Sequence, residues 1–240
     1  MVALDISSSM KAGDFQPGNR LEVARAVLND FVQQRKGDLI GLVTFAGRTF
    51  LQAPLTPDTD LLGQTIEGVD IGMLPDGTAI GTALAMSLNQ LKDLPPKASV
   101  IVLITDGANN TGKVSPLKAA EAARAIGVRI HTIGVSAADT TGPDKRFIWR
   151  AGGRTPDRLT SGDEVILKRI SERSGGRYFR ATDPETLASV LEAIDPLERQ
   201  DVKISETRDY RELYGLALGP GLVLLGLGLV LGATRLRSLP

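Results

Sequence analysis

Residues 99–105, SVIVLIT, are the most strand-like run in the chain, and they show no alternation of polar and apolar side chains. A strand that is apolar on both sides must be covered on both sides, which is the condition of a parallel sheet held between helical layers. The rest of the chain fits that condition. Strand-like runs at 1–6, 39–45, 99–105, 128–135 and 177–180 are separated by segments of helical period. Such alternation predicts an α/β domain with a mostly parallel sheet and helices on both of its faces.

The helices have readable boundaries. Asn19 stands before RLEVARAVLNDFVQQR, in which Leu21, Ala24, Val27, Leu28 and Phe31 share one face, and Gly37 follows it. TPDTDLLGQTIEGV, from Thr56, reads as a short helix with Pro57 in its first turn. AIGTALAMSLNQLKDL is stopped by Pro95 and Pro96, and further helices are expected over 115–126, 162–174 and 183–194. LIGLVTF and the shorter RTFLQA, on either side of Gly47, read as a hairpin whose second strand is an antiparallel sheet edge. A polar loop over 136–160 carries the single tryptophan, Trp149, read as an anchor for that loop. His131 lies within an apolar strand and reads as a packed core residue, while Arg48 and Lys113 read as solvated.

Composition removes several classes of chemistry. The 240 residues contain no cysteine, so disulfides, thiol nucleophiles and zinc–thiolate sites are excluded. One histidine cannot build a multi-histidine metal site, and any Ser-His-Asp triad would rest on His131 alone. With 28 basic and 28 acidic residues the formal net charge is zero, and no Lys/Arg-rich run suggests nucleic acid as a partner.

What remains is oxygen. In open α/β sheets ligands bind at the carboxyl ends of the strands, and three oxygen-rich loops fall at strand ends or helix starts: DISSS (5–9), DGT (76–78) and TDGANNTG (105–112). Asp5, Ser7 and Ser9 are spaced by two, so an extended chain would point them the same way. With Thr78 and Asp106 they make two carboxylates and three hydroxyls, a hard-oxygen set suited to Mg²⁺, Mn²⁺ or Ca²⁺. An ion held largely by neutral hydroxyls and water keeps affinity for one more anion, such as a Glu or Asp from another protein. Asp14, Asp76 and Asn109 neighbour the cluster and are expected to orient its ligands.

Other readings exist for single residues. Asp5 after a strand could be a phosphatase-type nucleophile, as in haloacid-dehalogenase-like enzymes, but those want a second Asp two residues on, where Ser7 stands. Thr78 suits the cap of its helix, and Asp106 suits a turn. A metal-dependent phosphoester or phosphoanhydride hydrolase could use the same ion as a Lewis acid; no His or Lys stands obviously beside the cluster as its general base.

Together, Asp5-Ile6-Ser7-Ser8-Ser9, Thr78 and Thr105-Asp106-Gly107 resemble the metal-ion-dependent adhesion site (MIDAS) of the von Willebrand factor A (VWA) domain family. The resemblance covers about residues 1–195 and implies a Rossmann-like three-layer fold, a non-catalytic role, and an ion held by Ser7, Ser9 and Thr78, with Asp5 and Asp106 bonding it directly or through water. DGTAIGTAL, LITDGANNTG, GGRYFRA and RELYGLALGPGLVLL further resemble the Bat (aerotolerance-operon) membrane proteins of bacteria. That resemblance implies a MoxR-type AAA+ ATPase and other membrane VWA proteins as partners, with a substrate adaptor for such an ATPase as a variant of the same role. It also implies a membrane segment ahead of the domain. This chain begins inside the first strand, which reads as a truncated or misassigned start.

The last part of the chain has another character. After a charged stalk at 196–213, residues 214–233 carry no charge over about 20 positions, the length a helix needs to cross a bilayer. Its glycines and Pro220 are better tolerated in lipid than in a water-soluble helix. Tyr210 and Tyr214 lie where interfacial aromatics belong, and a short basic tail, 234–240, follows. As written, the chain reads as a single-pass, tail-anchored protein of the cell membrane. Arg235 and Arg237 on one flank are matched by Arg208 and Arg211 on the other, so charge assigns no side; a preceding membrane segment would put the domain outside the cytoplasm. On this reading Asp106→Ala abolishes Mg²⁺-dependent partner capture and leaves the fold intact.

Overall fold

The computed structural model describes residues 1–15, 17–94, 99–107, 109–136, 161–199 and 214–234. The chain divides into two units, Met1–Val202 and Lys203–Pro240. The first begins with β1 (Val2–Asp5), a 3₁₀ turn (Ser8–Lys11), α1 (Arg20–Gln33), the hairpin β2 (Ile40–Phe45) and β3 (Thr49–Thr56), and then α2 (Thr59–Glu67) and α3 (Ile80–Leu91). It continues with β4 (Val100–Thr105), α4 (Pro116–Ala125), β5 (Arg129–Val135), α5 (Ser161–Ser174), β6 (Tyr178–Ala181) and α6 (Pro184–Arg199).

The strands form one sheet in the order β3-β2-β1-β4-β5-β6, parallel throughout except for the antiparallel β3 at one edge. Its two faces carry separate cores. Val2 and Leu4 of β1 join Leu42, Ile104 and Ile133 beneath α1, α2 and α6, where Leu28, Leu62 and Leu187 are packed. Ala3, between them in sequence, joins Val43, Leu103 and Ile130 beneath α3, α4 and α5, where Leu84, Ala120 and Leu167 are packed. Successive side chains on a strand point to opposite faces, so the unbroken apolar strands are what let both helical layers find a core. The result is the three-layer α/β architecture that the alternation of elements predicts.

Several elements depart from the sequence reading. Asn19 does cap α1, with its side chain accepting from Glu22 N at 2.9 Å while Glu22 Oε2 accepts from Asn19 N at 3.1 Å. But α2 begins later than expected: β3 runs on to Thr56, and Asp58 accepts from Leu61 N at 2.9 Å, so Pro57 precedes the cap rather than sitting in the first turn. Pro54 falls within β3, which an edge strand tolerates because one side of its backbone needs no donor. Helix α6 continues to Arg199, making residues 196–199 of the expected stalk helical, and its remainder lies outside the described residues. Trp149 and nearly all of the 136–160 loop also lie outside them. His131 is buried, its Nδ1 accepting from Arg177 N at 3.1 Å, as a packed core residue should be.

In the second unit α7 runs Tyr214–Thr234. Its described side chains, Gly219 and those of 221–230, are all exposed. Among the described residues alone, no helix is long and apolar enough to cross a membrane.

The switch in strand order falls at β1, which has β2 on one side and β4 on the other. Asp5 ends β1 and Asp106 directly follows β4, so the carboxyl edge of the sheet brings two acids together at the crevice. The loop before α3 is drawn to the same edge by the β2–β3 turn, where Gly47 N donates to Pro75 O at 2.7 Å and Ala79 N to Ala46 O at 2.8 Å. A Cβ on Gly47 would stand 2.3 Å from Asp76 O and 2.8 Å from Pro75 O. Gly47→Ala must therefore push this loop outward, and we expect a loss of about 1–3 kcal/mol, seen as a melting temperature several degrees lower by circular dichroism. An unchanged melting temperature would show that the contact does not fix the loop.

Candidate metal centre

Extended spacing is not what brings Ser7 and Ser9 together. The chain leaves β1 at Asp5 and tightens into the 3₁₀ turn, with Met10 N donating to Ser7 O at 3.0 Å and Ala12 N to Ser9 O at 3.0 Å. This turn folds Ser9 back so that the Ser7 and Ser9 hydroxyl oxygens stand 2.9 Å apart. Ser9 in turn donates to Asp106 Oδ1 at 2.6 Å, which ties the first loop to the third. Ser8 faces outward and binds the second loop instead: its N–H and hydroxyl reach the two carboxylate oxygens of Asp76 at 3.0 and 2.8 Å. Those bonds hold the Asp76 carboxyl below its ordinary value, the Ser8 backbone N–H contributing most.

Thr78 arrives by way of Gly77, whose φ of 125° is one that side chains other than glycine's rarely adopt. The threonine does not cap α3. The cap position is Ala79, and the third loop meets N–H groups on either side of it: Asn109 Oδ1 accepts from Gly81 N, in the first turn, at 3.3 Å, and Asn110 Oδ1 accepts from Thr78 N, before the cap, at 2.8 Å. The Thr78 hydroxyl is left to face the cluster. A Cβ built on Gly107 would lie 3.7 Å from Thr78 Oγ1 and 3.9 Å from Ser9 Oγ, so both hydroxyls border one small space that the absent side chain leaves clear.

Asp5 is fully buried and sits behind this space. Its Oδ1 accepts from Ser7 N at 2.9 Å and its Oδ2 from Thr105 Oγ1 at 2.5 Å. Burial pushes its carboxyl up to about 7, the Asp106 charge adds to the rise, and the bonds from Ser7 and Thr105 oppose it. Asp106 is 3% exposed and has a buried cationic partner. Arg20, 1% exposed at the first position of α1, places Nη1 2.7 Å from Asp106 Oδ2, while its Nε and Nη2 bind the two oxygens of Asp14 at 2.8 and 2.5 Å. Burial works against the Arg20 cation, but the bonds and charges of Asp14 and Asp106 outweigh it and hold its pKa above the usual value.

All five expected residues thus meet at one edge: Asp5, Ser7, Ser9 and Asp106 through a run of bonds, and Thr78 across Gly107. Asp76 and Asn109 act on the loops that carry the ligands, and Asp14 acts on Arg20. The sequence reading overlooked Arg20, Thr105 and Asn110. For Arg20 there was a signal, because a cation at the N-terminus of a helix opposes the helix dipole and calls for another reason to be there. Its burial also corrects one expectation. Asp106→Ala removes one of the two carboxylates that answer the buried Arg20 guanidinium and leaves Asp14 as the other, so a loss of stability is expected with it.

The donors suit a hard dication. Among the described residues no group of three or more His, Cys, Asp or Glu could hold a metal, so any ion here depends on the hydroxyls. Adjacent ligands on an octahedral ion with bonds of about 2.1 Å lie about 3 Å apart, and the Ser7–Ser9 oxygen separation of 2.9 Å meets that spacing before any ion is added.

The chain is similar to several known proteins. It is 27% identical over 215 residues to an uncharacterized protein of Borreliella burgdorferi, an alignment covering 89% of this chain and 62% of that one. It is 29% identical to a UPF0353 protein of Mycolicibacterium paratuberculosis, covering 81% and 59%. The chain therefore spans about three fifths of the length of these relatives. Among solved structures it resembles an aerotolerance-related membrane protein of Bacteroides fragilis, with TM-score 0.68 and 28% identity over 83% of this chain and 98% of the other. The mussel byssus protein PTMP1, whose structure has a zinc-occupied MIDAS motif, shares the fold at TM-score 0.59 and 24% identity, over 82% of this chain and 44% of the other. The von Willebrand factor type A domain matches residues 1–193, and the chain belongs to that family.

Proposed function

We propose that this chain is a membrane-anchored VWA domain that binds a partner protein through a divalent cation, with no catalytic step. Ser7, Ser9, Thr78 and Asp106 Oδ1 hold the ion, and Asp5 supports Ser7 from behind and supplies a second buried negative charge. The bound ion supplies a Lewis-acidic centre that an incoming Glu or Asp completes. One observation carries the reading: hydroxyls from two loops and a carboxylate from a third converge on a single space, with Ser7 and Ser9 already at ligand spacing. The zinc-occupied MIDAS of PTMP1 supports a divalent ion, and Mg²⁺ or Mn²⁺ suits these all-oxygen donors best.

Anchoring rests on residues 214–233, which are uncharged throughout. In α7 Leu222, Leu224, Leu225 and Leu229 are each about two-thirds exposed, and a helix apolar all round finds its natural solvent in lipid. The likeness to an aerotolerance-related membrane protein supports the same placement. Partners among other membrane VWA proteins and a MoxR-type AAA+ ATPase are proposed on the resemblance of the sequence motifs alone.

Ser9→Ala tests the ion with little risk to the core, because Ser9 is only partly buried. We expect Mn²⁺ affinity, measured by calorimetry on the full chain in detergent, to fall at least tenfold while the melting temperature in EDTA changes by only a few degrees. Equal affinity in the variant would exclude this ligand set. The companion experiment is capture of membrane proteins by the immobilised chain in Mg²⁺ against EDTA. Capture that survives EDTA would overturn the metal-dependent mechanism.

Acidity supplies a second check. With its carboxyl pushed up to about 7, Asp5 holds a proton that the ion must displace. Affinity for Mn²⁺ should therefore weaken by about tenfold per unit as pH falls below 7, and level off above it. Affinity is a cleaner readout than stability. In the metal-free protein the raised Asp5 lowers stability as pH climbs from 3.8 to about 7, over the same window in which it lifts metal affinity. A pH-independent affinity between 5.5 and 8 would contradict the role given to Asp5.

A further inference from the structure

Arg20 is the one element of the cluster that the metal reading leaves without a purpose. It is a fully charged side chain, 1% exposed, and it touches the carboxylate on the face opposite the hydroxyls: Oδ2 of Asp106 receives Arg20, while Oδ1 receives Ser9. Asp14 grips the same guanidinium through two further bonds, so its position is fixed from both sides. A buried cation this close to a dication site has a cost when the ion is present and a benefit when it is absent.

We infer that Arg20 is a resident counter-cation that lets the domain fold without metal and deliberately weakens the site, so that the ion stays exchangeable. The inference rests on the metal reading above. Without an ion, Asp5 and Asp106 are two buried acids near one another, and Arg20 offsets the second of them. A dication held at the Oδ1 side would feel the Arg20 charge across the carboxylate; for a separation on the order of 6 Å, even the dielectric of water makes a unit charge oppose a dication by about tenfold in affinity. Arg20 also withdraws electron density from Asp106, which favours a looser bond to the ion and leaves more of its charge for an acidic partner. Asp14 tempers the effect by sharing the guanidinium's charge. Arg20 is thus a positioning residue whose charge, and not only its shape, sets the site.

The sign of the change separates this from a purely structural role. If Arg20 merely held Asp106 in place, every substitution would weaken metal binding. We expect Arg20→Gln, which can still donate to Asp106, to melt lower than wild type in EDTA yet to bind Mn²⁺ about tenfold more tightly, so that its gain in melting temperature with Mn²⁺ exceeds that of wild type. Arg20→Lys, which keeps the charge, should stay within a few-fold of wild type. Asp14→Asn leaves the guanidinium less compensated and should weaken Mn²⁺ binding several-fold; it stands as the test should Arg20→Gln fail to fold. Mn²⁺ titration of the full chain in detergent reads all of these. Uptake by wild type with equal or weaker affinity in Arg20→Gln, or equal or tighter affinity in Asp14→Asn, overturns the role of Arg20 alone. Absence of Mn²⁺ uptake by wild type removes the metal reading and this inference with it.

Discussion

The structure turns on two carboxylates held out of water at the carboxyl edge of a parallel sheet. Asp5 and Asp106 end neighbouring strands, and the sheet gives neither of them an exit to solvent. A buried carboxylate is costly unless its oxygens are bonded and its charge is answered. The surrounding loops answer both needs. Ser7 and Thr105 bond Asp5, Ser9 and Arg20 bond Asp106, and the 3₁₀ turn exists where it must to bring Ser9 round. The third loop then crosses to the start of α3, where Asn109 meets Gly81 N and Asn110 holds the Thr78 backbone, which leaves the Thr78 hydroxyl to face the same space.

Seen this way, the hydroxyl-rich character of the site is a consequence of charge. A third carboxylate would bind a dication more firmly and leave it little attraction for an external acid. Two carboxylates, one of them offset by Arg20, would leave a bound ion electrophilic and still let the metal-free site fold. The same balance suits a protein that must take hold of a partner and release it.

Much of this was legible in the sequence. SVIVLIT, apolar without alternation, required a two-sided cover, and the sheet supplies it with Ile104 on one face and Leu103 on the other. The convergence of Asp5, Ser7, Ser9, Thr78 and Asp106 was legible because each sits in a short loop fixed by a strand end or a helix start. What escaped was set by contacts between distant segments. Thr105 reaches Asp5 across 100 positions and Asn110 reaches Thr78 across 32, and no local pattern reports such pairs; Arg20, at a helix N-terminus, was locally anomalous, but its partner 86 positions away was not legible. The extended reading of Asp5, Ser7 and Ser9 had the wrong geometry for residues that the structure does bring together, since the turn that joins them needs the rest of the cluster to hold it. The boundary at α2 failed for a smaller reason: Asp58 is the better cap, and Pro57 at the strand exit loses nothing by having no N–H.

If one hard dication sits between the Ser7, Ser9 and Thr78 hydroxyls and Asp106, crystals of the protein soaked in Mn²⁺ will show it by anomalous scattering. We expect a single strong peak within about 2.0–2.3 Å of the two serine oxygens, with Arg20 on the far side of the Asp106 carboxylate. A peak elsewhere, or none at saturating Mn²⁺, would contradict it.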